Sequence, residues 1–581
     1  MRQSNVYLLL ILVISAFFLF FGLDTALFAS KGEPREAIVA VQILQSGDWI
    51  LPCVDGIDLP YKPPMLAWLV AAFSMIGGRV TEFTARIPSV LAMIAMLVMA
   101  YRFFSRRVND NRDNYLKAFV TAMILLIAIE PHRTAIVCRV DMLLTAFMFA
   151  AMISLYHWQQ RGWKGFPIWG VLAMSAATLT KGPVGIILPC LAVFVFAILK
   201  DNRFWRPALS LLAVAIAALV IPAVYYYVAY LRGGDQFLQL ALEENFGRML
   251  GKMTYESHLH PFYYNFTSLL AGLLPFTLFL LFSIFAIRFA KPSLKGEMRR
   301  FRGADPVLSF SVVAALVVVV FYCFPASKRS VYLLPAYPFL AFLIAEWMVR
   351  LRRRHSRVIK NYNYFFVVIA GIFLLVFAEF YFNFFGLKDR LPVKMQTLLS
   401  PAAFTRHSLL DAIVIALPAA AIFYALMIRR RPTSEKHIYA QLALSLTVYM
   451  AASVAFISPI INAKSDFFKA NEIATIIPSG KILSSIKSDP HMRFYTIDFY
   501  MDNRVVARPF DSKEPLPESA NILLSSPEAD EFIAAHPERS FQLLWDSEKA
   551  SPTAPKSCDS RQPVSLYAFR LSQPADTVPK H

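Results

Sequence analysis

Charge is scarce in this chain, and acid is scarcer than base. Only 17% of the 581 residues are charged, with 39 Asp and Glu against 58 Lys and Arg, for a formal net charge of +19. With 57% hydrophobic residues and a mean hydropathy of +0.50, the chain is too apolar for an ordinary soluble protein and fits multiple bilayer spans. Cysteine is sparse too. Cys53, Cys138, Cys190, Cys323 and Cys558 include no CxxC pair, which argues against a disulfide framework or a zinc finger. The positive excess sits in short loops beside apolar segments, where the positive-inside rule accounts for it, so no nucleic-acid partner is expected.

What is present is a series of apolar runs. They predict an α-helical polytopic membrane protein with about thirteen spans, from Val6–Leu23 to Tyr439–Ile457. The first run lacks a small-residue cleavage site and reads as an uncleaved anchor. Arg102, Arg106, Arg107 and Arg112 follow one even-numbered span; Lys200, Arg203 and Arg206 follow another; Arg350, Arg352, Arg353, Arg354 and Arg357 a third. These clusters put the N-terminus and the basic loops in the cytoplasm, and the intervening loops on the opposite face.

The opposite loops carry the polar groups. Residues 24–86 contain GEPREAIVAVQILQSGDWILP, predicting a surface-lying helix from Pro34, and then YKPPMLAWL, where Pro63 and Pro64 hold Lys62 at the membrane boundary. Met65–Ile76 reads as an interfacial or re-entrant helix, because a crossing there would invert the charge pattern. Further on, RVDMLLTAF places Arg139 and Asp141 where a span begins. LTKGPVGIILP sets Lys181 beside a helix break, and FPASKRSVYLLPAYP supplies Lys328, Arg329, Tyr332 and Tyr337. Another loop holds Glu243, Glu244, Arg248, His258 and His260. Any one lysine at a span end can simply snorkel to the headgroups. Glu33, Arg35, Lys62, Arg139, Asp141, Lys181 and Lys328, all on one face, together suit an anionic, phosphorylated, lipid-linked substrate and the movement of a proton.

At these residues the sequence resembles the bacterial lipid-linked-sugar glycosyltransferases of the type C superfamily, related to aminoarabinose transferase of lipid A and to the protein O-mannosyltransferases. The strings GEPREAIVA, SGDWILP, YKPPMLAWL, RVDMLLTAF, LTKGPVGIILP, ENFGRM with HPFYY, and SKRSVYLLPAYPFLAFLIA carry the likeness, from Asp24 to about Val349. It implies juxtamembrane helices over a periplasmic cavity in a bacterial inner-membrane protein. The implied reaction takes a sugar from a polyprenyl (undecaprenyl) phosphate and gives it, with inversion, to lipid A, another glycan or a protein. On this reading Glu33 and Asp141 are the catalytic carboxylates, while Arg35, Lys62, Lys181 and Lys328 bind the donor phosphate and Arg139 and Tyr332 contact substrate. The sequence departs from the family where adjacent acids usually open the first motif: Gly32 replaces one, and Glu36 stands where an aromatic is usual. In the aminoarabinose branch an acid before the Lys-Pro-Pro lysine joins a histidine in binding metal. Here that position is Tyr61, so a divalent metal, with His258 or His260, is a candidate cofactor that the residues do not require.

After Ile457 the composition turns polar. Residues 459–581 read as a small α/β domain on the face opposite the cytoplasm, following a transmembrane glycosyltransferase domain over 1–458 whose first periplasmic loop is 24–86. Strands are expected near Phe494–Ile497, Asn521–Leu524, Phe541–Leu544 and Val564–Leu571, with a helix over Pro527–Ala535. A polysaccharide polymerase or ligase using lipid-linked donors is the nearest alternative, and a lipid-linked-substrate transporter a weaker one, since no internal repeat is evident. A monomer is expected.

Overall fold

The computed structural model describes residues 2–52, 60, 62–106, 112–201, 203–244, 259–286, 300–325, 327–354, 356–392, 396, 408–487, 492–552 and 554–571. Tyr61, Arg248 and His258 lie outside the described residues. Among the described residues, eight helices are long and apolar enough to cross a membrane, or up to ten if each of two bent pairs is one span. The bent pairs are Asp113–Ile127 with Ile129–Ala135, turned by 67°, and Tyr264–Gly272 with Phe276–Ser283, turned by 100°. Three other apolar helices, Ser4–Phe20, Met65–Ser74 and Pro306–Phe321, fall short of the same length. Met65–Ser74 spans only 10 residues, about 15 Å at helical rise, which is half a bilayer core.

Local chemistry sets the helix ends that matter. Pro34 opens the helix Pro34–Ser46 at a position where a missing N–H costs nothing, and Gly47 closes it in the left-handed region at φ 73. Thr81 and Thr84 form a reciprocal cap at the start of Glu82–Ser105. At Lys181 the chain turns sharply: Gly182 adopts φ 92 and Pro183 follows. A Cβ at Gly185 would come within 2.7 Å of the Ala177 and Thr178 backbone, so glycine lets the helices Ile168–Lys181 and Val184–Asp201 pack face to face.

The C-terminal region folds around a five-stranded sheet of β1 (Ile482–Ser485), β2 (Val505–Ala507), β3 (Ser519–Ser525), β4 (Arg539–Asp546) and β5 (Val564–Leu571), in the order β2-β1-β3-β5-β4. β1 pairs parallel to β2 and β3, while β5 runs antiparallel to β3 and β4. The run around Phe494–Ile497 is not a strand. Tyr495–Tyr500 is helical instead, because the buried Asp498 carboxylate takes the Arg493 guanidinium at 2.8 Å and the Val505 amide at 2.8 Å and draws the segment into a turn. β1 and β2 were not foreseen; at 4 and 3 residues they are too short to show alternation.

This sheet region is fastened to the first loop. Phe499 packs on Phe28 with ring centroids 4.7 Å apart, and the Tyr500 hydroxyl accepts from the Phe28 amide at 3.0 Å and donates to Glu82 at 2.7 Å. Gln45, on the helix Pro34–Ser46, donates to the Asp502 carbonyl at 3.0 Å. The same helix shares an apolar cluster with Met65–Ser74, Cys138, Val140 and Phe499. The helix that carries Arg35 and Glu36 is thus held between the membrane region and the C-terminal sheet.

Candidate active site

The helix Pro34–Ser46 presents Glu36 on its buried face, in the first turn, where a negative charge complements the helix dipole. Lys62, fixed by the two prolines after it, forms an ion pair and hydrogen bond with that carboxylate. Burial opposes the Glu36 charge, but Lys62 and Arg35 overcome it and hold the carboxyl below its usual range. Burial pulls the Lys62 ammonium down to about 8; Glu36 resists this, while Arg35 and Arg139 add to it.

A second pair lies in the same electrostatic neighbourhood. Arg139 precedes the helix Val140–Gln160 in extended conformation, so Asp141 falls in the first helical turn. Ser89 pins this approach by donating to the Val137 carbonyl at 2.7 Å. Asp141 accepts from Lys181, which the Gly182 turn aims back at it, and Arg139 Nε stands 3.7 Å from its other oxygen. Lys181 also lies 4.6 Å from the centre of the Tyr332 ring, a cation–π contact. Lys62 acts on Asp141 and Arg139 acts on Glu36, so the two pairs feel each other's charge.

Six of the eight expected site residues, Arg35, Lys62, Arg139, Asp141, Lys181 and Tyr332, therefore belong to one connected group. Glu33 and Lys328 are engaged elsewhere. Glu33 accepts from Arg86 Nε at 3.0 Å, Arg86 Nη2 at 3.3 Å and the Cys138 amide at 2.9 Å, while Arg86 Nη1 ties down the Leu23 and Ala26 carbonyls at 2.8 and 2.6 Å. Lys328 is buried and donates to the Pro325 carbonyl at 2.8 Å. Glu36 and Arg86 were missed. An ionisable residue inside the apolar start of a span, as Arg86 is, should have prompted a search for its partner. His260 stacks on Tyr264 with centroids 4.1 Å apart. Among the described residues the one cluster of three possible metal ligands is Asp466, Cys558 and Asp559 in the C-terminal region, which does not include it.

A cleft opens beside the first pair, lined by Arg35, Glu36 and Lys62 together with Trp49, Trp68 and Tyr225. Trp68 donates to the Trp49 carbonyl at 2.6 Å and meets Tyr225 edge-on at 5.7 Å, which fixes these aromatic side chains relative to one another. Asp48 anchors the loop above by pairing with Arg232 at 2.9 Å. A lining that mixes charged and aromatic side chains suits an amphiphile with an anionic head.

The family pattern described as dolichyl-phosphate-mannose-protein mannosyltransferase matches residues 61–226. An uncharacterized protein of Aquifex aeolicus is 26% identical over 408 residues, covering 70% of this chain and 75% of that protein. An undecaprenyl phosphate-alpha-4-amino-4-deoxy-L-arabinose arabinosyl transferase of Aeromonas hydrophila is 24% identical over 376 residues, covering 62% of this chain and 65% of that protein. The crystal structure of ArnT from Cupriavidus metallidurans bound to undecaprenyl phosphate superposes with a TM-score of 0.69 at 19% identity, covering 97% of this chain and 98% of that one. The likeness in fold therefore extends over the C-terminal sheet as well as the membrane helices.

Proposed function

We propose that the chain is a membrane glycosyltransferase of the type C superfamily that transfers a sugar from a polyprenyl phosphate carrier to an acceptor on the far side of the cytoplasmic membrane. The observation that carries this reading is the convergence of Arg35, Lys62, Arg139 and Lys181, from four separate stretches of chain, around two carboxylates beside an amphiphilic cleft. The finer topology goes with it: about thirteen crossings, a cytoplasmic N-terminus, a bacterial inner membrane, and a periplasmic site and C-terminal domain over 459–581.

The chemistry follows from charge. The acceptor oxygen forms a bond to the anomeric carbon as the bond from that carbon to the phosphate oxygen breaks, and the electron pair leaves with the phosphate. Negative charge therefore grows on the phosphate, where fixed Lys62, Arg35, Arg139 and Lys181 stabilise it. Asp141 holds Lys181 and Arg139 in position. Glu33 fixes the first loop through Arg86 and the Cys138 amide. Glu33, Glu36 and Asp141 are each paired with a cation, which favours an acceptor that brings its own negative oxygen, such as a phosphate of a lipid or glycan, and needs no base. A hydroxyl acceptor would require Asp141 to take the proton at the expense of its bond to Lys181.

Transfer from an undecaprenyl phosphate-linked sugar in membranes tests the reading. Lys62→Ala should abolish it, whereas Glu33→Gln should lower the amount of folded protein more than the rate per folded molecule. Full turnover in Lys62→Ala would overturn the assignment.

A further inference from the structure

Glu36 sets a problem for the donor. Its carboxylate is bonded to the ammonium that the reading above gives to the lipid phosphate, so carboxylate and phosphate compete for Lys62. Among the described residues, the ionisable groups that act on Lys62 or feel its charge include Glu36 and Arg35 from the helix Pro34–Ser46, Arg139 and Asp141 from the start of the helix Val140–Gln160, and the Cys138 thiol just before it. Asp141 is committed to Lys181 and Arg139. Glu36 is therefore the carboxylate whose partner the phosphate would take.

The two lipid species differ in charge. The donor is a phosphodiester with one negative charge. The product is a phosphomonoester whose second ionisation lies near neutral pH, so it carries up to about two. A set of uncompensated cations holds the product more tightly than the donor, and turnover then stalls on release. We propose that Glu36 is a positioning residue that competes with the lipid phosphate for Lys62 and so speeds departure of the polyprenyl phosphate product. This rests on the donor reading above.

The experiment measures binding of undecaprenyl phosphate to the purified full-length chain in detergent micelles at two pH values. Glu36→Gln, nearly the same in shape, should bind about tenfold tighter at about pH 6.5, the equivalent of one pair worth roughly 1.4 kcal/mol. The gain should shrink by about pH 8.5, because Lys62, still beside Arg35 and Arg139 but without its counter-ion, gives up its proton earlier. Glu36→Asp, whose shorter arm loosens the pair without removing the charge, should bind about two- to threefold tighter, and it carries the test if Glu36→Gln does not fold. A purely supporting role for Glu36 predicts equal or weaker binding in both variants, and that result overturns the proposal. If the unaltered protein does not bind undecaprenyl phosphate, the donor reading itself falls. If it binds, and Lys62→Ala does not, while the Glu36 variants fail to tighten, only this inference falls.

Discussion

Asp141 and Lys181 form the pair on which the cation arrangement turns, and the cost of breaking it can be worked from either side. Asp141 is 4% exposed, and the Lys181 side chain 21% exposed. Removing one partner of a buried pair costs about 3–5 kcal/mol, because the other is left charged in a poor solvent. In Asp141→Asn the lysine can still reach water and the Tyr332 ring, so the lower end applies, about 3 kcal/mol. In Lys181→Met the aspartate is left to Arg139 at 3.7 Å, and the upper end applies, about 4–5 kcal/mol. The double variant has neither orphan and should be less destabilised than the sum by about 2–3 kcal/mol. Equilibrium unfolding in mixed micelles measures this cycle. Transfer should fall about 10²- to 10³-fold in all three variants, since each removes or misplaces a cation at the departing phosphate. Additive unfolding energies, with coupling under about 0.5 kcal/mol, or full transfer in Lys181→Met, would refute the reasoning.

Tyr332→Leu removes the ring under Lys181; a loss of about 0.5–2 kcal/mol in undecaprenyl phosphate affinity, with little change in folding, should be visible by titration. Lys62 titrates near 8 rather than at 10.5, so lipid phosphate binding should fall as pH rises through about 8, and Lys62→Arg should flatten the fall. Stability should move the other way. Between pH 8 and 10.5 the unfolded chain holds a proton that the folded one has released, so unfolding becomes harder by up to about 1.4 kcal/mol per pH unit there. Gly272→Ala would drive its methyl into the Tyr337 hydroxyl and against the Glu130 Cβ; it should lower the thermal midpoint of the whole protein while the rate per folded molecule holds. Phe499→Ala should loosen the C-terminal sheet from the helix Pro34–Ser46 at a cost of about 3–5 kcal/mol and reduce transfer indirectly, which limited proteolysis would report as earlier release of that region.

Much of the site was legible because proline and glycine announce it. The prolines after Lys62 and the Gly182–Pro183 break after Lys181 fix where those ammonium groups can point, and the charge pattern of the loops predicts one face for them with Arg139 and Asp141. Partner choice was not legible. Glu33 and Glu36 stand three apart at one helix start, and nothing local says that Glu33 turns to Arg86 while Glu36 turns to Lys62; packing against the helix Glu82–Ser105 decides it. Lys328 looked equivalent to Lys181, but the 3₁₀ turn Ser330–Ala336 leaves its ammonium on the Pro325 carbonyl. Apolar runs located the helices well and their role less well. The apolar run from Phe266 to Ile287 reads as one straight span and is bent by 100° before Phe276–Ser283, while IEPHRTA reads as a loop and is helical over Ile129–Ala135; both appear only once the helices pack. In the C-terminal sheet, the aromatic and β-branched residues from Phe494 to Ile497 favour a strand, and one buried aspartate outweighs them.

The most direct measurement is a structure of this protein with undecaprenyl phosphate bound. The account predicts the phosphate within about 4 Å of both the Lys62 and Lys181 ammonium groups, with Glu36 turned from its partner and Asp141 still holding Lys181. A phosphate seated away from these lysines, with both ion pairs intact beside it, would contradict it.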